Sequence, residues 1–81
     1  MNRLILNATC PDQPGIIARF TALLFEQGAN ILSLEQRVEA DTGLSRMRLE
    51  ADLTACRVSA SVLQGRIRIL AESLEAQVVF E

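Results

Sequence analysis

The sequence predicts an α+β fold in which a four-stranded antiparallel sheet carries two helices on one face, in the order βαββαβ. Three observations lead there. Hydrophobic spacing changes from period two to helical spacing and back, twice along the chain. Turn-forming residues mark the junctions, at Asp12 to Gly15, at Gly28 and at Ala40 to Gly43. Two period-two stretches also follow one another with no helical pattern between them, which places a hairpin in the middle of the chain.

The first strand spans Arg3 to Cys10, with Leu4, Leu6, Ala8 and Cys10 on one side and Arg3, Ile5, Asn7 and Thr9 on the other. A helix follows from about Pro14 to Gln27, where Ile16, Ile17, Phe20, Leu23 and Leu24 make one apolar stripe. Asp12 suits the start of that helix, because its carboxylate can accept from free backbone N–H groups, and Pro14 carries the φ of a first helical turn. Gly28 supplies the left-handed residue that commonly ends a helix.

The second strand, Asn30 to Glu39, puts Leu32, Leu34 and Val38 on one face and Ser33, Glu35, Arg37 and Glu39 on the other. The four-residue loop Ala40 to Gly43 closes a hairpin onto a third strand, Leu44 to Leu53. There Met47, Leu49, Ala51 and Leu53 alternate with Arg46, Arg48, Glu50 and Asp52, so one face is buried and the other charged. Symmetric closure places Glu35 opposite Arg48 and Arg37 opposite Arg46. The charged face reads as a solvated surface or as a second assembly surface.

The second helix is marked by Leu63, Ile67, Leu70 and Leu74, with Thr54 or Ser59 as its cap and Gly65 as a weak point in its middle. Gln77 to Phe80 forms the last strand. This order matches the split βαβ, or ferredoxin-like, arrangement. It leaves the Asn30 to Glu39 strand at a sheet edge, where a partner subunit can pair with it.

Residues 1–81 read as one domain, and a chain of this size buries only about 60% of its unfolded surface. A dimer interface is a natural supplement. Nearly half the residues are hydrophobic, yet only three are Phe and none is Trp or Tyr, so the core is aliphatic. A formal charge of −2, with the arginines scattered among acids, gives no basic footprint for nucleic acid. No apolar run approaches the ~20 residues that span a bilayer, and no secretory segment opens the chain, so a cytoplasmic location is the default expectation. With no His, neither Ser–His nor Cys–His catalysis can be assembled. Cys10 and Cys56 read as reduced thiols, no metal site is indicated, and no cofactor is expected.

The turn at Asp12 to Gly15 is the one place where the residues suggest chemistry. It leaves a bare, partly positive helix end that suits a carboxylate or another small anion. Asp12 reads as a cap alone or as a cap that also orients a ligand's ammonium. Gln13 is the least constrained residue of the turn and can reach a ligand from outside. Asn30 either bonds its neighbouring backbone or donates to a carboxylate.

The run Cys10 to Ala18, the residues Gly28, Ala29, Asn30, Ile31 and Leu32, and the stretch Asp41 to Glu50 together resemble an ACT domain. Within that family the wording is particularly similar to the amino-terminal ACT segment of formyltetrahydrofolate deformylases, and also to the ACT domains of glycine cleavage system regulators. The resemblance implies a non-catalytic regulatory module that binds an amino acid, such as glycine or serine, at a homodimer interface built on the Asn30 to Glu39 edge strand. The ligand would lie between the turn before the first helix of one subunit and the edge of the other.

The candidate ligand-binding residues are then Asp12, Gln13, Pro14, Gly15, Ile16, Asn30 and Ile31. The Gly15 and Ile16 N–H groups would meet a carboxylate, and Asn30 would meet polar atoms. Two alternatives stand beside this reading: a regulatory fragment of a deformylase whose catalytic domain is absent from these residues, and a purely structural dimerisation domain.

Overall fold

The computed structural model describes residues 2–81. Strand β1 (Arg3–Pro11) sits at the centre because both of its edges are paired antiparallel, to β3 (Leu44–Asp52) and to β4 (Gln77–Phe80). Among the described residues strand β2 (Asn30–Glu39) pairs only with β3, giving the order β2-β3-β1-β4. Each helix therefore carries the chain over one intervening strand, and β2 lies at an edge as the split βαβ arrangement predicts.

Alternation decides which side of the sheet the helices cover. Leu4, Leu6, Ala8 and Cys10 of β1 and Met47, Leu49 and Ala51 of β3 are buried, and they meet Ile16, Phe20 and Leu24 of α1 (Ile16–Glu26). Helix α2 (Ala60–Ser73) adds Leu63, Ile67 and Ala71. Phe20 is fully enclosed, an aromatic plug in an otherwise largely aliphatic core. Truncating such a side chain typically costs about 3–5 kcal/mol through lost transfer energy and the cavity left behind. The opposite sheet face carries Arg3, Asn7, Thr9, Arg46, Arg48 and Glu50, and ion pairs join Arg3 to Glu50 at 2.7 Å and Arg46 to Glu39 at 2.8 Å. Among the described residues no helix is long and apolar enough to cross a membrane.

The hairpin closes in the expected register, with Glu35 opposite Arg48 and Arg37 opposite Arg46. Its loop is locked by the Gly43 N–H donating to the Glu39 carbonyl at 2.8 Å. Strict alternation along β2 does not hold, however. A bulge falls between Ile31 and Ser33, so Ile31 and Leu34 pack against the core while Leu32 stays exposed. An extra residue in one strand reverses the facing of what precedes it, which is why Leu32 is not on the core side.

Helix α2 starts at Ser59, whose Oγ accepts from the Val62 N–H at 3.2 Å. Thr54 is not its cap: the Thr54 hydroxyl donates to Asp52 Oδ1 at 2.7 Å, closing the turn after β3. Helix α1 ends as expected at Gly28, with φ +85°, where the Ala29 N–H donates to the Leu24 carbonyl at 3.0 Å. Helix α1 begins later than the sequence suggests, at Ile16 rather than Pro14. This shift changes the site.

Candidate functional site: the turn before helix α1

Cys10 and Pro11 end β1 opposite Ser45 and Leu44, and the Asp12 N–H donates to the Gly43 carbonyl at 2.9 Å. The turn is thus held against the hairpin loop before the helix starts. Gly15 then takes φ +85° and ψ 10°, a left-handed conformation, and serves as the N-cap. Its carbonyl accepts the first helical bond, from the Arg19 N–H at 3.0 Å.

Among the described residues no side chain caps this helix. Asp12 is exposed and does not perform the capping role the sequence suggests. The left-handed Gly15 delays the helix start, so Asp12 stands three residues before the cap instead of occupying it. The first-turn N–H groups of Ile16, Ile17 and Ala18 therefore have no side-chain acceptor, which makes this helix end attractive to an anion. Pro14 lies in the turn rather than the helix.

Gln13 is not the free arm of the turn. Its amide nitrogen donates to the Pro11 carbonyl at 3.1 Å and to the Leu74 carbonyl, at the end of α2, at 2.9 Å. Arg19 is the residue that sequence reasoning passed over. Its Nε lies 3.7 Å from where a Cβ on Gly15 would stand, which brings a guanidinium alongside the open turn. Spacing of four from Gly15 on a helical stripe is the signal that could have found it. Burial, and secondarily the charge of Asp12, push the Cys10 thiol pKa up, so Cys10 belongs to the core rather than to the chemistry of the turn.

Asn30 and Ile31 do not join this cluster within one chain. They begin β2 at the far end of α1, and eleven helical residues separate the two ends, about 16 Å at 1.5 Å per residue. Asn30 instead borders a groove of about 480 Å³ shared with Phe25, Glu26 and Arg57. Arg57 clamps the end of α1 there, its guanidinium donating to the Glu26 carbonyl at 2.9 Å. Asn30 and Ile31 also border a second groove, of about 500 Å³, with Ala18, Thr21, Ala22 and Phe25. On the helix-free face, Arg37, Arg46 and Arg48 line a groove of about 530 Å³ with Asn7, Thr9 and Glu35. No group of three or more metal-ligating acids or cysteines occurs among the described residues.

A four-stranded antiparallel sheet in the order β2-β3-β1-β4, with two helices on one face, places the molecule in the ferredoxin-like class. Residues 4–72 match the ACT domain family, and the chain belongs to it. ACT domains are regulatory, ligand-binding and non-catalytic modules. The chain is similar to formyltetrahydrofolate deformylase of Bacillus subtilis, with 38% identity over 71 residues, 86% of this chain and 24% of that enzyme. It thus spans about a quarter of the length of that relative. Two solved structures share the fold. A formyltetrahydrofolate deformylase from Pseudomonas syringae superposes with a TM-score of 0.90 at 20% identity, over 100% of this chain and 28% of the other. An ACT domain protein from Streptococcus pneumoniae gives 0.80 at 18% identity, over 98% and 86%.

Proposed function

We propose that this chain is a non-catalytic regulatory module that dimerises through β2 and binds a small amino acid, such as glycine or serine, at the turn before α1. The observation that carries this reading is the uncapped, glycine-opened start of α1 with Arg19 beside it. In that reading the Ile16 and neighbouring N–H groups receive the ligand carboxylate, and Arg19 adds positive charge. Asp12, exposed and not used as a cap, faces the ligand ammonium. Gln13 and Pro14 shape the turn rather than touch the ligand.

Asn30 and Ile31 enter from the second subunit. In an antiparallel pair of β2 strands, the start of one strand lies beside the end of the other. The end of β2 leads into the hairpin loop, whose Gly43 is bonded to Asp12. A partner's Asn30 would therefore approach the turn that its own chain holds at a distance.

Calorimetric titration with glycine, serine and the other amino acids tests the reading, alongside light scattering and the thermal midpoint. A ligand specific for the folded state raises that midpoint. Asn30→Ala and Arg19→Ala should each weaken binding without unfolding the chain. A dimer that binds no amino acid would leave a structural dimerisation module. The similarity to the Bacillus subtilis enzyme favours a second reading, that these residues are the ACT segment of a deformylase. Reading the gene past codon 81 tests that one: a hydrolase-type domain downstream supports it, and a stop codon removes it.

A further inference from the structure

Glu35 and Arg37 stand two residues apart on the helix-free face of the edge strand, and neither makes an ion pair among the described residues. Their inner neighbours do not relieve them. Arg48, opposite Glu35, approaches Glu50 and Glu81, each at 3.8 Å. Arg46, opposite Arg37, is held by Glu39 at 2.8 Å and presents like charge to it, a destabilising arrangement across strands. On the helix-free face beside the open edge of β2, Glu35 thus has no ion pair among the described residues, and Arg37 has only the through-space pull of Glu39, whose carboxylate Arg46 already holds.

The bulge before Ser33 limits where such a strand can add. Unbroken register along β2 runs from Ser33 to Glu39, and its midpoint is Gln36. We propose that a second copy of this chain pairs antiparallel with β2 about a two-fold axis at Gln36, so that Glu35 of each copy meets Arg37 of the other. The proposal rests on the edge-strand dimer put forward above and specifies its register.

Charge and shape select this register over its neighbours. An axis at Glu35 sets two carboxylates against each other, and one at Arg37 sets two guanidiniums against each other and Glu35 against Glu39. An axis at Leu34 puts Glu35 opposite Ser33 and leaves Arg37 without an acid. One at Val38 offers Arg37 only Glu39, which Arg46 already holds, and shortens the pairing. With the axis at Gln36, a row Arg48, Glu35, Arg37, Arg46 crosses the joined sheets. On the helix side, Leu34 lies across from the half-exposed Val38 of the second copy and covers it.

Sedimentation equilibrium of the wild-type chain, Glu35→Arg, Arg37→Glu and a one-to-one mixture of the two variants tests this. Each variant alone places four like charges around the axis, and its dimer dissociation constant should rise about tenfold or more, an effect that salt diminishes. In the mixture every contact again joins opposite charges. At one, the arginine introduced at position 35 meets the glutamate introduced at position 37; at the other, the native Glu35 and Arg37 meet. Heterodimers should therefore form with near wild-type affinity. Circular dichroism of each variant checks that it is folded. A wild-type dimer that both variants reproduce unchanged, or whose loss the mixture does not repair, overturns the register and leaves the edge-strand dimer standing. A wild-type chain that stays monomeric at millimolar concentration overturns both.

Discussion

The side-chain amide of Gln13 donates to the main-chain carbonyl of Leu74 at 2.9 Å, joining the turn before α1 to the end of α2 across sixty-one positions of sequence. The last carbonyls of a helix lack intrahelical donors, so this bond satisfies one that packing has taken from water. Gln13→Ala should cost roughly 1 kcal/mol, the usual net worth of such a bond. Urea unfolding would measure it, and an unchanged midpoint would show that the bond contributes nothing. Gln13→Glu should cost more, because a carboxylate cannot donate to that carbonyl and is repelled by the negative end of the helix.

Two glycines should respond oppositely to alanine. A Cβ at Gly28 would stand 2.7 Å from the Ala55 carbonyl oxygen while the backbone holds φ +85°. Both the clash and the left-handed strain oppose it, so Gly28→Ala should destabilise by at least about 2 kcal/mol. Gly65 lies within α2 with nothing inside 4 Å of a new Cβ. Gly65→Ala should stabilise by about 1 kcal/mol, a rise of roughly 4–8 °C in Tm for a domain of this size. Thermal melts of both variants give the comparison, and a shared direction would contradict the geometry.

Cys10 is buried and Cys56 only partly so. A thiol reagent should therefore modify one residue, Cys56, rapidly in the folded protein, and Cys10 only at the rate of unfolding. Equal rates at both would be incompatible with this packing. The raised Cys10 pKa also sets a pH dependence. Its folded value lies above its unfolded one, so its contribution to stability is complete below the ordinary thiol range and is lost as pH rises through the folded value.

Asp52 has the opposite sign. The Thr54 hydroxyl, then the Thr54 backbone N–H, hold its carboxyl below the usual carboxylate range. Its stabilisation is present above the unfolded carboxylate pKa and is lost as pH falls through the lower folded value. Thr54→Val removes the hydroxyl donor and should move the Asp52 titration upward when followed by NMR. A titration curve that does not move would assign the shift elsewhere.

The strand and helix order, the edge position of β2 and the hairpin register are all legible in the residues. Each follows from local information: the period of apolar positions, a four-residue loop, and the alternation of Met47, Leu49 and Ala51 with charged neighbours. The family is legible too, since the Cys10 to Ala18 run carries its motif.

Tertiary structure decided the rest. The bulge at Leu32 shows only in the pairing of β2 with β3, and no local pattern announces an extra residue. Gln13 reads as free because its acceptor, Leu74, is remote in sequence, and Asp12 reads as a cap because a glycine permits the left-handed turn that displaces the helix start without requiring it. Asn30 is held away from Gly15 within one chain because the eleven residues of α1 lie between them, a distance fixed by the helix once it forms. By itself the sequence determined which elements form and which faces they bury, because those depend on neighbours along the chain. Which atoms meet at the turn depended on remote backbone competing for the same donors, and only the folded chain resolves that competition.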